Sequence, residues 1–222
     1  MDAGSPLVGV LAGALGAALG FAADRFAVRW PDHDPDDAEH PANRPIGWRT
    51  AVVVITSAVA FGLLPARFAG DPLALAAFGA WFATLVVGLA TDLDQRLLPD
   101  VLTLTVVPPA LVYAVSGLNP LVGGDWIGAL IAAIAIPAVL YLPSIPFGAG
   151  AFGMGDVKLL VGAGLLLGLA RAFGGVLIGL LLAGIVLGAL LVARRISRRS
   201  YVPFGPFLII GAMWAVLVLR PA

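Results

Sequence analysis

Long apolar stretches, separated by short polar segments, run through this chain of 222 residues. All but one of these stretches reach about 17 to 25 residues, the length at which an α-helix crosses a bilayer, and none shows the alternation of a transmembrane strand; the sixth stretch is shorter. Charged residues make up only 12% of the sequence and the mean hydropathy is +1.02, whereas a soluble domain carries about 25% charged residues. Because only helices and closed barrels satisfy their backbone in lipid, the sequence predicts an all-α integral membrane protein.

The apolar stretches predict a polytopic bundle of about eight transmembrane helices. We expect them at 6 to 24, 50 to 66, 73 to 91, 101 to 117, 125 to 142, 157 to 170, 173 to 193 and 203 to 219. The boundary between the sixth and seventh rests on a brief turn at Arg171. We expect prolines 108, 109 and 137 to kink the fourth and fifth helices. We divide the chain into a first helix with an acidic cytoplasmic loop, residues 1–49, and a transmembrane domain, residues 50–222.

The basic residues predict the orientation, because cytoplasmic loops are enriched in Lys and Arg. With the N-terminus outside, ten of the 13 lysines and arginines fall on the cytoplasmic side and three on the outer side. The inner set is Arg25, Arg29, Arg44, Arg49, Arg96, Lys158, Arg194, Arg195, Arg198 and Arg199, and the outer set is Arg67, Arg171 and Arg220. This orientation predicts a multi-pass membrane protein with its N-terminus outside.

Two aspartates lie at the cytoplasmic ends of predicted helices. Asp92 closes the third helix in the segment TDLDQRLLPD, residues 91–100, and Asp156 opens the sixth in GMGDVK, residues 153–158. Each segment has an ordinary interpretation, as a solvated loop or as a glycine turn followed by a snorkelling lysine. A carboxylate beside lipid is nevertheless costly and marks a functional site, and the topology returns both acids to the same face. We therefore predict that Asp92 and Asp156 form a proton-sharing pair.

These segments resemble the type IV prepilin peptidases, which belong to the GxGD aspartic membrane proteases. In that family an aspartate precedes a Leu-Pro-Asp turn, matched here by Asp92 and by residues 98–100, Leu-Pro-Asp. The second aspartate of the family lies in Gly-x-Gly-Asp-x-Lys, matched by residues 153–158. A Pro-Phe-Gly-Pro segment opens the last helix of the family and is present at 203–206. The resemblance covers roughly residues 80 to 215.

The resemblance implies an activity and a set of site residues. Asp92 and Asp156 are implied to be catalytic, and the site is implied to be shaped by Gly153, Gly155, Lys158, Pro99 and Asp100. It implies an endopeptidase that removes a short basic leader from a prepilin or pseudopilin at the cytoplasmic membrane boundary, without a cofactor. The expected partners are this substrate and membrane lipid, with no nucleic acid. The resemblance also implies a location in a prokaryotic plasma membrane, with the active site on the cytoplasmic side.

One region departs from the family. Bifunctional members carry paired Cys-x-x-Cys motifs after the first helix, associated with zinc and with N-methylation of the cleaved pilin. This chain has no cysteine, and residues 25–49 form a polar, acidic, proline-rich segment that predicts an unstructured loop. The loop contains His33 and His40, but nothing fixes them in a ligand geometry, so we favour a solvated loop over a metal site. We therefore predict a short form that cleaves without methylating.

The expected chemistry follows from the pairing of two acids. Two adjacent carboxylates cannot both ionise, so the pair holds one proton near neutrality. The ionised member draws a proton from the attacking water, and the protonated member stabilises the oxyanion and then serves the leaving amine. The sequence does not assign these roles between Asp92 and Asp156. We expect the glycines to let a substrate backbone approach Asp156.

The alternative from another class is a secondary transporter that uses Asp92 and Asp156 to carry protons or sodium. Transporters commonly contain inverted repeats with a binding site near the midplane of the membrane. The sequence has no convincing repeat, and both acids lie near one face. The peptidase is therefore the favoured interpretation.

Overall fold

A computed structural model describes residues 5–31, 44–147, 153–197 and 203–218. These residues form α-helices joined by short connections, and no strand occurs among them. The helices are α1 (Pro6–Ala27), α2 (Trp48–Arg67), α3 (Pro72–Gln95), α4 (Asp100–Thr103), α5 (Val107–Val115), α6 (Trp126–Tyr141), α7 (Met154–Val192) and α8 (Gly205–Leu217), with a 3-10 helix at Leu142–Phe147.

Five of these helices are long and apolar enough to cross a membrane: α1, α2, α3, α7, and α6 with the 3-10 helix that follows it. Two shorter apolar helical segments cover Asp100–Val115 and Gly205–Leu217. The predicted class, an all-α multi-pass membrane protein, is confirmed. The number of eight crossings stays a prediction.

Helix α3 lies in the middle of the bundle and packs against α1, α2 and α8. Half of the apolar, membrane-spanning stretch of this helix is buried inside the protein, a larger share than in any of the other four long helices. Its fully buried side chains include Phe78, Phe82 and Leu89. The last turn of α3 is therefore held in the interior of the protein.

The predicted fourth helix is interrupted. Helix α4 ends at Thr103 and α5 begins at Val107, with turn residues between them. Pro108 and Pro109 have no N–H to donate to the carbonyls four residues earlier, so a continuous helix cannot form across 104–106. Pro137, which was expected to act in the same way, lies inside α6, and that helix continues to Tyr141.

The chain reverses direction within α7. Gly168 has φ 70° and ψ 175°, far from helical values. Before Gly168, Asp156 lies beside the start of α8; after it, Gly175 packs against the middle of α8 and Gly179 against its first turn. The segments 154–167 and 169–192 therefore run in opposite directions. The turn predicted at Arg171 is at Gly168, because glycine adopts a positive φ without the strain that a side chain brings.

Candidate active site

Asp92 lies in the last turn of α3. Arg96 ends this helix in a left-handed conformation, φ 56° and ψ 35°, and its N–H donates to the Asp92 carbonyl at 3.0 Å. The helix thus continues to Gln95, four residues beyond the predicted end at 91, and this extension encloses Asp92. Only 5% of Asp92 is exposed, and its Oδ2 has no hydrogen-bond partner among the described residues.

Asp156 lies in the first turn of α7. Gly153 caps the helix with extended backbone angles, φ −66° and ψ 136°, and 8% of Asp156 is exposed. The carboxylate folds back toward the cap: a β-carbon added to Gly153 would lie 3.2 Å from Asp156 Oδ2. A side chain at position 153 would therefore press on this carboxylate.

The two carboxylates meet at the start of α8. A β-carbon added to Gly205 would lie 3.1 Å from Asp156 Oδ1 and even closer to Asp92 Oδ2. One point in space is therefore in van der Waals range of both acids, although 63 residues separate them in the sequence. None of the described residues forms an ion pair with either acid. Two buried carboxylates at this separation favour the sharing of one proton.

The segments around the two acids also pack against each other. A β-carbon added to Gly155 would lie 2.8 Å from Leu98 Cβ and 3.1 Å from the Leu98 carbonyl oxygen. Pro99, the next residue, caps α4 with φ −61° and ψ 140°, so the Leu-Pro-Asp turn lies directly on the start of α7. The space beside Gly155, where we expected a substrate backbone, is occupied by Leu98.

Lys158 and Asp100 form an ion pair, with Lys158 Nζ 2.6 Å from Asp100 Oδ1. Asp100 is the first residue of α4 and Lys158 is in the second turn of α7. The pair lies toward the outside, where the Asp100 side chain is 61% exposed. It joins the segment that follows Asp92 to the segment that contains Asp156.

A comparison with protein families gives a match to the type IV leader peptidase family over residues 80–193, about half of the chain. The matched region contains Asp92 and Asp156, together with Leu98 and Gly155, which pack against each other; Gly205 lies outside it. The chain belongs to this family.

Curated relatives in the family are named prepilin leader peptidase/N-methyltransferase. The relative from Burkholderia pseudomallei is 34% identical over 169 residues, which cover 75% of this chain and 54% of the relative. Those from Aeromonas salmonicida and Xanthomonas campestris pv. campestris are 33% and 35% identical, over 57% and 60% of this chain and 43% and 46% of their own lengths. The chain thus spans about half the length of the curated relatives it matches. No solved structure matches it.

This leader peptidase family member also contains a second group of buried acids, which the sequence analysis missed. Arg44 lies 2.6 Å from Asp24 and 2.8 Å from Asp94, and Arg49 lies 3.0 Å from Asp94. Thr50 donates to Asp24 at 2.8 Å. We call these five residues, from α1, α2, α3 and the segment before α2, the arginine cluster. The excess of arginine was interpreted only as a signal of orientation.

The arginine cluster holds the end of α3 in place. Asp94 is two residues from Asp92, and Gln95 next to it donates to the carbonyls of Ala27 and Trp30 at 2.6 and 3.1 Å. These contacts tie α3 to the segments that border residues 32–43. The loop with His33 and His40 lies outside the described residues, and no group of three metal-ligating side chains occurs among the residues that are described.

Proposed function

We propose that this chain is a membrane-embedded aspartic endopeptidase that removes the leader from a prepilin or pseudopilin. The convergence of Asp92 and Asp156 at Gly205 carries the proposal, because it joins two buried acids that form no ion pair with any described residue. Two buried acids without a cation are costly to stability, and peptide hydrolysis by an activated water is a reaction that can use such a pair as general base and general acid. Membership in the type IV leader peptidase family supports the same reaction class.

In the proposed reaction the ionised carboxylate takes a proton from water as the water attacks the scissile carbonyl. The protonated carboxylate donates to the developing oxyanion, and its proton then reaches the leaving amine. No covalent intermediate forms. The oxygen of Asp92 without a partner is available for water or for the scissile carbonyl.

We propose that the substrate approaches the dyad from the loop side of the bundle, near the segment that follows α3 and the segment that precedes α7. Leu97, which follows α3, and Met154, which begins α7, are 46% and 50% exposed, in contrast to the buried acids near them in the chain. On the other side, a cavity of about 10 Å³ lined by Gly88, Leu98 and Leu159 has room for roughly one water molecule. A peptide does not fit there, so the route from the loop side is favoured.

The test is cleavage of a candidate prepilin. We expect co-expression in a host without its own prepilin peptidase to yield a pilin shortened at its N-terminus, and N-terminal sequencing gives the cleaved bond. Recovery of the full-length prepilin alone, with this chain properly inserted in the membrane, would refute the peptidase.

We propose that the N-terminus lies outside and that the pair of Asp92 and Asp156, the catalytic dyad, lies on the cytoplasmic side. The chain has no native cysteine, so single introduced cysteines report accessibility on a clean background. We expect labels at 35, 96, 152 and 197 to react from the cytoplasm and those at 70, 121 and 222 from outside. Labelling of 96 and 152 from opposite sides would separate the two acids and end the dyad proposal.

A further inference from the structure

We propose that Gly205 is a positioning residue of the catalytic centre, and that its missing side chain sets the distance between the carboxylates of Asp92 and Asp156. The proposal rests on the proposed peptidase function. It adds the first turn of α8 to the two segments that hold the acids.

The first argument is steric. A β-carbon on residue 205 would overlap Asp92 Oδ2 and would lie 3.1 Å from Asp156 Oδ1, whereas ordinary van der Waals contact begins near 3.4 Å. The absence of a β-carbon at residue 205 thus leaves the room that both carboxylates occupy. An alanine at 205 would force at least one carboxylate to move by about 1 Å.

The second argument is that α8 cannot move away instead. Gly179 approaches the Phe207 carbonyl so closely that its β-carbon would lie 2.7 Å from that oxygen, and Gly211 of α8 meets the backbone of Gly175 directly. These are contacts between backbones, which have no flexible side chain to yield. A shift of α8 by 1 Å would therefore disrupt the close backbone packing between α7 and α8, whichever way the helix moved.

The helices that carry the acids are fixed as well. The arginine cluster holds the end of α3 through Asp94, and Leu98 against Gly155 holds the start of α7. A carboxylate that must yield to a side chain at 205 therefore moves relative to its own backbone. It then leaves the geometry in which the two acids share a proton.

The third argument is electrostatic and concerns the carboxylate of Asp92 and the N-terminal end of α8. Asp92 Oδ2 is buried, has no partner among the described residues and points at the first turn of α8. The N-terminal end of a helix carries partial positive charge, which stabilises a negative charge placed there. With glycine at 205, the first turn of α8 approaches the dyad closely enough for this charge to act on it.

The experiment compares Gly205→Ala with two matched glycine variants in full-length protein. We expect Gly205→Ala to lower kcat by about 100-fold with KM within about twofold of the parent, because a 1 Å misplacement of reacting groups costs about that much in rate. Gly188→Ala, at a position with nothing within 4 Å, should keep the parental kcat and KM, with a melting temperature equal to that of the parent or higher. Gly211→Ala, which meets the Gly175 backbone, should lower the melting temperature in detergent. A kcat of Gly205→Ala within threefold of the parent would overturn the proposal.

A stability cycle tests the same contact without activity. Asp92→Ala removes the carboxylate that the new β-carbon overlaps, so Gly205→Ala should lower the melting temperature less in that background than in the parent. If Gly205→Ala alone does not fold, the double variant should fold, and its failure to fold would overturn the proposal. If the parent cleaves no prepilin, the peptidase proposal fails, and this cycle still decides whether Gly205 sets the position of Asp92.

Discussion

Asp92 and Asp94 are neighbours in the last turn of α3, equally buried, and their surroundings differ completely. Asp94 is 4% exposed and has two arginines within 3.0 Å, whereas Asp92 is 5% exposed and faces another acid across the start of α8. A buried charge that is paired with an opposite charge is a structural element. A buried acid without such a partner lowers the stability of the fold, and folding alone gives no reason to keep it. Within one helical turn, this difference separates Asp94, which belongs to the arginine cluster, from Asp92, which we propose acts in the reaction.

The largest expected effect comes from the unpaired acids. Asp92→Asn and Asp156→Asn should each reduce prepilin cleavage by on the order of 10⁴-fold, and the double variant should be no worse, because the pair acts as a unit. Each change also removes a buried carboxylate, so the melting temperature should stay equal or rise. A gel-shift assay on a tagged prepilin and thermal unfolding in detergent measure the two effects. Cleavage by either single variant at more than a tenth of the parental rate would contradict the dyad.

The paired acid should show the reverse behaviour. Asp94→Asn leaves Arg49 and one side of Arg44 without charge compensation, and breaking a buried pair costs about 3 to 5 kcal/mol. Because Arg44 keeps Asp24 at 2.6 Å, we expect the lower end of that range, which corresponds to a fall in melting temperature of roughly 5 to 10 °C. At temperatures below the unfolding transition of the variant, its kcat should remain within a few-fold of the parental value. Loss of cleavage at parental stability would instead place Asp94 in the chemistry.

The sequence predicted a membrane protein, an all-α fold and the pairing of Asp92 with Asp156, because local sequence patterns carry this information. Long apolar stretches define helices in lipid, and the parity of crossings returns Asp92 and Asp156 to one face. The family comparison then confirmed the resemblance on which the catalytic interpretation depends.

The features that the sequence did not predict depend on contacts between distant segments. Asp24, Arg44 and Asp94 meet only after three segments assemble. Arg44 was interpreted as an orientation signal and Asp94 as part of a loop, and Asp24 was not singled out. Gly205 was noted in a motif, but its role follows only from the position of both carboxylates around it. The reversal at Gly168 occurs inside an uninterrupted apolar stretch, where the nearest charge, Arg171, gave a boundary three residues late.

The smallest expected effect concerns the exposed pair, Lys158 and Asp100, which completes the comparison of paired and unpaired acids. Their side chains are 26% and 61% exposed, and exposed pairs contribute about 0.2 to 1 kcal/mol because water and salt screen them. Lys158→Met, which keeps the apolar stem, should therefore change the melting temperature by at most about 4 °C and reduce kcat only a few-fold.

The charge swap of this pair, Asp100→Lys with Lys158→Asp, is the matched control. It should recover only part of the loss, because it places a cation at the first residue of α4 and so opposes the partial positive charge of that helix end. The difference between Lys158→Met and the parent should shrink as salt is raised, as expected for an exposed ion pair. A 100-fold loss of kcat in Lys158→Met, independent of salt, would instead place Lys158 beside the reacting atoms. The rule that paired acids are structural would then fail at this site.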